Sequence, residues 1–364
     1  MSELKRIIEK CTECGLCVRE CDFLQRYGDS PKELAEKFCA GSYRENPEVP
    51  YSCNLCNLCE VVCPEGLNVG RMCLQQRCLM VQEGSAPLPQ HQPIVNAQES
   101  YLSDSTRLAL PDLKAETTTR VFFPGCGLSS YSPRLAMIVY SYLQEMLPGT
   151  GIALGCCGAP SYLLGEQSEF RKMIQLLEQD VKRLGASEII VACPSCYYML
   201  KEYLTDLKPL SLYALLAELG VPGKASEAHV FSIHDPCSSR GEKEVQKSVR
   251  YLVQSLGHSI EEIEHSREKA HCCGLGGMAF AVSPEISAAK AGRTIGEAKF
   301  DLLTYCANCR ENLASQGARI HYLLDLIFND RWQEAALVPP KDSSVAAENQ
   351  RLLRTRLVDR EKEA

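Results

Sequence analysis

Residues 119–330 alternate between strand-like apolar runs and helix-like amphipathic stretches. Four of the apolar runs end at a cysteine, in RVFFPGC, EIIVAC, HVFSIHDPC and FDLLTYC. Strands that alternate with helices in this way predict a parallel sheet. Because open parallel sheets bind ligands beyond the carboxyl ends of their strands, we expect these cysteines to lie at such sites.

The same region contains an internal repeat. Each copy has a lone cysteine, then a Cys-Cys-Gly segment, then a Cys-x-x-Cys segment. The corresponding positions are 111, 116 and 113 residues apart, from Cys126 to Cys237, from Cys156 to Cys272 and from Cys193 to Cys306. Offsets this similar predict duplication of a unit of about a hundred residues, which is a normal domain size.

Composition adds one anomaly. The net charge of −7 provides no basic surface for nucleic acid, and no Lys/Arg block indicates binding to anionic lipid. The start, MSELKRIIEKC, lacks the apolar segment of an export signal, and no apolar run approaches bilayer-spanning length, so we expect a cytoplasmic protein. The anomaly is the 21 cysteines, set against seven histidines. In a reducing compartment, clustered thiols are more often metal ligands than disulfides.

Eight cysteines form two runs near the N-terminus, each spaced Cys-x2-Cys-x2-Cys-x3-Cys. This spacing is typical of bacterial ferredoxins, in which the fourth cysteine of each run ligates the other cluster. We therefore predict two cubane [4Fe–4S] clusters. The predicted ligands are Cys11, Cys14, Cys17 and Cys63 for the first, and Cys53, Cys56, Cys59 and Cys21 for the second.

The first run departs from the ferredoxin pattern at Asp22, where a proline usually follows the fourth cysteine. The 31 residues between Cys21 and Cys53 include the helix-like SPKELAEKFCAG, which predicts a helical ferredoxin-type domain. Zinc held by four cysteines is the alternative, but it gives no reason for the third Cys-x2 step. The remaining cysteines of this region are predicted to be small buried hydrophobic residues: Cys39, Cys73 and Cys78.

Each copy of the repeat supplies five cysteines. Adjacent cysteines do not readily form a disulfide without strain, whereas both can reach a multi-iron cluster. Five thiolates exceed the four that one cubane or one zinc ion needs, which predicts a cluster of unusual shape. Glycines beside each pair allow close approach of the backbone to a cofactor; they are Gly158 in the first copy and Gly274, Gly276 and Gly277 in the second.

These patterns predict an α+β multidomain protein. An N-terminal α-helical ferredoxin-type domain (1–82) is followed by a polar, proline-containing connector (83–118) that wraps the surface. A duplicated α/β, Rossmann-like cysteine-rich domain with parallel sheets then occupies 119–222 and 223–330. The charged tail at 331–364 is predicted to form a short helix or to fray.

The spacings Cys-x29-Cys-Cys-x35-Cys-x2-Cys and Cys-x34-Cys-Cys-x32-Cys-x2-Cys resemble the duplicated cysteine-rich (CCG) domain of heterodisulfide reductases. With the two N-terminal runs, the layout resembles the fused, membrane-partnered catalytic subunit of that family. It is also similar to the iron–sulfur subunits of glycolate oxidase and anaerobic glycerol-3-phosphate dehydrogenase. The gaps of 29 and 32 residues are slightly shorter than the family's usual pattern.

The resemblance implies that each five-cysteine motif holds a non-cubane [4Fe–4S] cluster, giving one or two clusters beyond the cubanes, and that disulfide cleavage occurs there. The implied ligands are Cys126, Cys156, Cys157, Cys193 and Cys196 in the first copy, and Cys237, Cys272, Cys273, Cys306 and Cys309 in the second. Relatives that only relay electrons often have one degraded motif. This chain retains all ten cysteines, which favours disulfide or thiol chemistry.

Two histidines of the second copy are candidate catalytic residues. His234 lies three residues before Cys237, and His271 directly precedes Cys272. Such a histidine either donates a proton to a leaving thiolate, or it hydrogen-bonds the backbone or the cluster sulfides and tunes the cluster's reduction potential. The second role is the more common beside metal ligands. The first copy has no histidine at these positions, so the second is the predicted catalytic copy.

The leading prediction is the iron–sulfur subunit of a redox complex, an oxidoreductase that passes electrons through two cubanes to the CCG clusters and reduces a disulfide or related thiol. The alternative is a non-catalytic electron-transfer subunit of a flavin-dependent dehydrogenase for glycolate, lactate or glycerol 3-phosphate. The stretch GLGG at 274–277 is not a complete dinucleotide motif, so electrons must come from a partner, a flavoprotein or b-type cytochrome subunit. Contact with the inner face of a membrane is expected only through that partner.

Overall fold

The computed structural model describes residues 2–204, 206–223 and 227–363, and it begins with seven helices around the two cysteine runs. Ile7 and Phe23 are among the apolar residues of their common core. Ser30 caps the fourth helix, because its Oγ accepts a hydrogen bond from Glu33 N at 3.1 Å and Pro31 occupies the first turn. The helical character predicted for this region is confirmed. The helices are α1 Glu3–Lys10, α2 Leu16–Arg19, α3 Asp22–Tyr27, α4 Pro31–Cys39, α5 Glu48–Tyr51, α6 Leu58–Val62 and α7 Val69–Gln82.

Residues 83–118 contain more regular structure than their polar sequence indicates. They include α8 Gln92–Ser100 and β1 Leu108–Leu110. The β1 strand pairs in antiparallel fashion with residues 152–154 of the first sheet. His91 is fully buried, with its ring centroid 4.7 Å from that of Tyr51. The segment therefore joins both the sheet and the core, rather than lying only on the surface.

The first sheet has five strands in the order β1-β3-β2-β4-β5. All neighbours except β1 and β3 are parallel, and Phe122 lies opposite both Ile152 and Ile190. Val121 and Phe123 are buried as well as Phe122, as expected for a strand covered by helices on both faces. The strands are β2 Arg120–Phe123, β3 Thr150–Leu154, β4 Glu188–Val191 and β5 Lys208–Ser211. The helices are α9 Gly125–Tyr131, α10 Pro133–Met146, α11 Ala159–Leu164, α12 Gln167–Arg183, α13 Pro194–Tyr203 and α14 Leu212–Leu219.

The second sheet has four parallel strands in the order β7-β6-β8-β9. This spatial order of strands corresponds to the order β3-β2-β4-β5 in the first sheet. The parallel strands predicted from the alternating pattern are therefore confirmed. The strands are β6 Val230–His234, β7 Ser259–Ile260, β8 Leu302–Thr304 and β9 Ile320–Tyr322. The helices are α15 Lys243–Ser255, α16 Pro284–Glu297, α17 Ala307–Ser315, α18 Leu323–Phe328 and α19 Trp332–Leu337.

The two sheets share one hydrophobic core. Phe122 of the first sheet and Ile233 of the second belong to the same buried cluster. Tyr213 Oη donates a hydrogen bond to Tyr322 Oη across this core at 3.2 Å. The carboxyl ends of the two sets of strands, which carry the cysteines, are thereby held close together.

The tail ends in a long helix, α20 Ser343–Glu363, which packs on α9 and α10. Leu353 and Leu357, one helical turn apart, insert into the shared core and are buried, and this explains why so charged a segment is ordered as a helix. Asn349 Nδ2 donates to Ser130 O at 2.7 Å. Among the described residues, the structure has no helix of sufficient length and apolarity to cross a membrane.

Candidate metal centres

The first cysteine run lies at a small cavity near the surface. Positive φ angles at Glu13 (56°) and Gly15 (74°) turn the chain tightly after α1. Burial, with smaller contributions from the Cys63, Cys11 and Cys21 thiolates, raises the pKa of Cys17 to about 12. Cys14 is solvent-exposed. The cysteines that line the cavity are those predicted for the first cluster: Cys11, Cys14, Cys17 and Cys63.

The second run lies deeper, between the helical region and the second sheet. Leu55 (φ 51°) and Asn57 (φ 60°) make its turns. Burial raises the pKa of Cys59 well above its ordinary value, with added effects from the neighbouring Cys56, Cys21 and Cys53. The structure thus brings together the predicted second set, with its fourth member from the first run: Cys53, Cys56, Cys59 and Cys21.

Cys73 belongs beside this second set, which its position outside the spacing pattern did not reveal. It is fully buried, as predicted, but its thiol is in hydrogen-bonding contact with Cys53, and this contact is the largest cause of the raised pKa of Cys53. Cys39, by contrast, is exposed at the last residue of α4, so the prediction that it is a buried hydrophobic residue is wrong.

In the repeat, each group of five cysteines lies beyond the carboxyl ends of its strands. In the first copy, Cys157 is in hydrogen-bonding contact with Cys156 and Cys196, and Cys193 contacts Cys196. In the second, Cys272 contacts Cys237 and Cys273, and Cys309 contacts Cys273 and Cys306. Backbone N–H groups also point at the sulfurs, with Gly158 N 3.4 Å from Cys156 Sγ and Gly274 N 3.3 Å from Cys272 Sγ.

The two five-cysteine groups meet directly, because Cys193 and Cys306 are in hydrogen-bonding contact. The second group also adjoins the second N-terminal set, since Cys56 interacts electrostatically with both Cys237 and Cys272. Cys17 of the first N-terminal set interacts electrostatically with Cys21 of the second set, which connects these two sets. The four sets therefore form one unbroken series from the exposed first set to the first copy of the repeat.

His234 lies inside this series. It is fully buried, neither ring nitrogen has a hydrogen-bond partner among the described residues, and its ligating nitrogen lies within 4.8 Å of the sulfurs of Cys273 and Cys309. Burial lowers its pKa to about 4, so the imidazole is neutral at pH 7. The corresponding position of the first copy is Phe123, so this polar group distinguishes the second copy.

His271 lies at the contact with the helical region. Its Nε2 is 3.3 Å from Glu20 Oε2, and its Nδ1 is 3.2 Å from Glu297 Oε1. The ring stacks on His265, with centroids 3.9 Å apart and planes 14° apart. Burial, reinforced by His265, lowers the pKa of His271. His265 was not predicted as part of the site, because no cysteine lies near it in the sequence.

The cysteine sets lie within domains that are known from other proteins. The model of a 4Fe-4S dicluster domain matches residues 10–68, and the model of a cysteine-rich domain (CCG) matches residues 120–201 and 231–314. A dihydromethanophenazine:CoB–CoM heterodisulfide reductase subunit of Methanosarcina mazei is 23% identical over a gapped alignment of 381 positions, which spans 89% of this chain and 92% of that protein.

The chain is a heterodisulfide reductase-like iron–sulfur protein. It is also similar to the glycolate oxidase iron–sulfur subunit of Escherichia coli, at 23% identity over 86% of this chain and 92% of that subunit. An EtfAB:quinone oxidoreductase of Syntrophomonas wolfei is 23% identical over 63% of this chain and 36% of that enzyme.

The residues of this heterodisulfide reductase-like protein fit multiple [4Fe–4S] clusters. Every set consists of thiols, and each N-terminal set offers the four that a cubane needs. Burial raises the pKa values of Cys59 and Cys126, and bound iron would replace the proton and compensate the charge of the buried thiolate. Five sulfurs in each repeat exceed one zinc ion's requirement, and this disfavours a structural zinc site.

The four predicted cofactor glycines mostly make room for protein atoms. A Cβ at Gly158 would lie 2.7 Å from the Phe170 ring, and one at Gly274 would overlap Ser287 O. Gly276 and Gly277 pack against the backbone of Cys53 and Asn54, and Asn54 Nδ2 donates to Gly274 O at 2.7 Å. Gly276 also lies near Cys272, whose Sγ would be 3.5 Å from its Cβ. A direct role of these glycines toward a cofactor remains a prediction.

Proposed function

We propose that this chain is the iron–sulfur subunit of a redox complex that carries electrons from its helical N-terminal region to the CCG domains, where a disulfide or related thiol is reduced. The observation that carries the proposal is the unbroken series of cysteine sets. The predicted domain divisions at 82, 118, 222 and 330 are part of the same proposal.

The order of the sets follows from their exposure and contacts. Cys14 in the first set is exposed, so a partner's redox group can approach it, whereas Cys272 and Cys306 are buried. The step from the second set to the second CCG group is supported by the proximity of Cys56 and Cys237. The step to the first CCG group is supported by the contact between Cys306 and Cys193.

Bound [4Fe–4S] clusters supply one-electron transfer, and two such electrons are required to cleave one disulfide. The balanced reaction consumes a disulfide, two electrons and two protons, breaks one S–S bond and releases two thiols. The chain's residues hold sulfur ligands in two adjacent five-thiol groups, which we propose bind non-cubane clusters. His234 can donate an N–H hydrogen bond to a sulfur, since a neutral imidazole retains one donor.

The names of the relatives support both candidate functions. The heterodisulfide reductase relative favours disulfide reduction, and the iron–sulfur subunit of glycolate oxidase favours relay to or from a flavoprotein. At the first CCG group one structural feature favours electron relay over substrate binding: α20 lies over this group, with Gln350 Nε2 3.4 Å from Cys126 O. The partner in either case is proposed to be a flavoprotein or b-type cytochrome subunit, through which the chain would contact a membrane.

EPR of the anaerobically prepared holoprotein, with and without small disulfides, tests the proposal. We expect a disulfide-dependent change in the signal of a CCG cluster. His234→Phe, which copies Phe123 of the first repeat, is expected to raise the disulfide concentration needed for this change by at least about tenfold, because a hydrogen bond to a charged group contributes about 1.5–3 kcal/mol.

Iron content measured on the same samples separates the outcomes. Wild type with four intact clusters and no response to any disulfide would contradict disulfide reduction and support the relay function. An unchanged response in His234→Phe would exclude His234 from substrate chemistry.

A further inference from the structure

Three buried basic side chains surround the second N-terminal set. Arg77, which is fully buried, donates from Nη2 to Cys53 O at 2.7 Å. Arg240 donates from Nε to Cys56 O at 3.2 Å. Lys290, which is 5% exposed, has its Nζ 3.7 Å from Cys21 Sγ. Each cation thus contacts a different ligand residue of this set.

These cations lack the partners that buried charges normally have. The described part of the chain has two other buried arginine or lysine residues, and both form carboxylate ion pairs: Arg250 with Asp235 at 2.7 Å and Arg310 with Glu311 at 2.6 Å. In contrast, none of the three around the second set forms an ion pair within the described residues. A buried charge without a counter-charge is strongly destabilising, so a counter-charge is expected.

A [4Fe–4S] cluster held by the second set would supply that counter-charge, because its four cysteines would bind iron as thiolates. Four thiolates carry negative charge, and the hydrogen bonds of Arg77 and Arg240 to carbonyls satisfy their N–H groups without neutralising their charge. Lys290 lies at a junction, because it also interacts electrostatically with Cys56 and with Cys272 of the neighbouring CCG group. In the described structure, no buried basic residue hydrogen-bonds to the first set.

We infer that Arg77, Arg240 and Lys290 hold the cluster of the second set at a higher reduction potential than that of the first set, and that Lys290 favours placing an electron next to the CCG groups. The inference rests on the ligand assignment proposed above. Adding one electron increases the cluster's negative charge by one and breaks no bond. Nearby buried cations stabilise this added charge, since Coulomb interactions are weakly screened in the interior. Electrons arriving at the exposed first set are thereby drawn inward.

A redox titration of the holoprotein, monitored by EPR, tests this with Lys290→Met, which keeps the side-chain length but removes the charge. We expect the equilibrium constant for reduction of the second cluster to fall at least about tenfold. This lowers the reduction potential by about 59 mV for one electron. Lys290→Arg should restore most of the shift. Lys299→Met is the matched control just beyond α16, because Lys299 is 74% exposed and pairs with Glu261 at 3.4 Å; it should leave both potentials unchanged.

Arg240→Gln provides the same test at a second position, so a Lys290 variant that fails to take up iron does not decide the matter. Unchanged potentials in iron-loaded Lys290→Met or Arg240→Gln would overturn the inference, as would an equal shift in Lys299→Met. Loss of a signal in Cys21→Ala establishes which signal belongs to the second set. If Cys21→Ala removes no signal, the ligand assignment is wrong, whereas an intact assignment without a shift contradicts the role of the cations alone.

Discussion

Arg77→Leu is expected to lower the free energy of unfolding by about 3–5 kcal/mol, because it leaves several buried carbonyl groups without a donor. The Arg77 guanidinium joins three parts of the chain. It donates to Pro50 O and Cys53 O in the helical region, to Leu163 O beside the first sheet at 2.6 Å, and to Gly277 O in the second CCG region at 2.7 Å. The substitution therefore weakens the junction on which the cysteine series depends.

Anaerobic thermal unfolding of the holoprotein measures this effect. Arg77→Lys should lose most of the same stability, since an ammonium group has three donors and cannot reproduce the fork of the guanidinium. Arg44→Leu is the control, because Arg44 is 59% exposed and forms a surface ion pair with Glu83. An unfolding midpoint for Arg77→Leu equal to that of Arg44→Leu would show that the junction does not depend on Arg77.

Replacing the fourth cysteine of either N-terminal run, Cys21 or Cys63, with alanine is expected to remove one cluster, about four irons per chain. The cluster lost is expected to be the one bound mainly by the other run. Cys63→Ala should abolish the same EPR signal as Cys14→Ala, because both residues line the first cavity. Cys21→Ala should abolish the same signal as Cys56→Ala, because Cys21 lies with the second set. Alanine is preferred to serine, whose hydroxyl could itself bind iron.

The control is Cys39→Ala, which is exposed and lies outside both sets, and which should retain all of its iron and both signals. If Cys21→Ala instead matched Cys14→Ala, each run would bind its own cluster and the crossed arrangement would be refuted.

The sequence was sufficient to predict the features that local spacing encodes. The two cysteine runs and the parallel strands before the cysteines follow from patterns over short stretches, and the repeat from Cys126 to Cys309 follows from the matching order and spacing of its cysteines. Even the position of His234 at the second CCG group could be anticipated from its closeness to Cys237.

The residues that it did not reveal act across the chain. Arg77 meets Gly277 two hundred residues away, and Lys290 meets Cys21 over a still longer separation. On its own helix, each of these residues is an ordinary basic side chain. Their roles arise only when the helical region docks on the second sheet, and no local pattern encodes that contact. For the same reason, Cys73 could be recognised as buried but not as a neighbour of Cys53.

We propose that eighteen cysteines hold four clusters in one series. The most direct test is the number of iron and acid-labile sulfide atoms per anaerobically prepared full-length chain. We expect about sixteen of each, four for every cysteine set. A value of about eight, unchanged when Cys157 and Cys273 are replaced with alanine, would contradict it by confining iron to the two N-terminal runs.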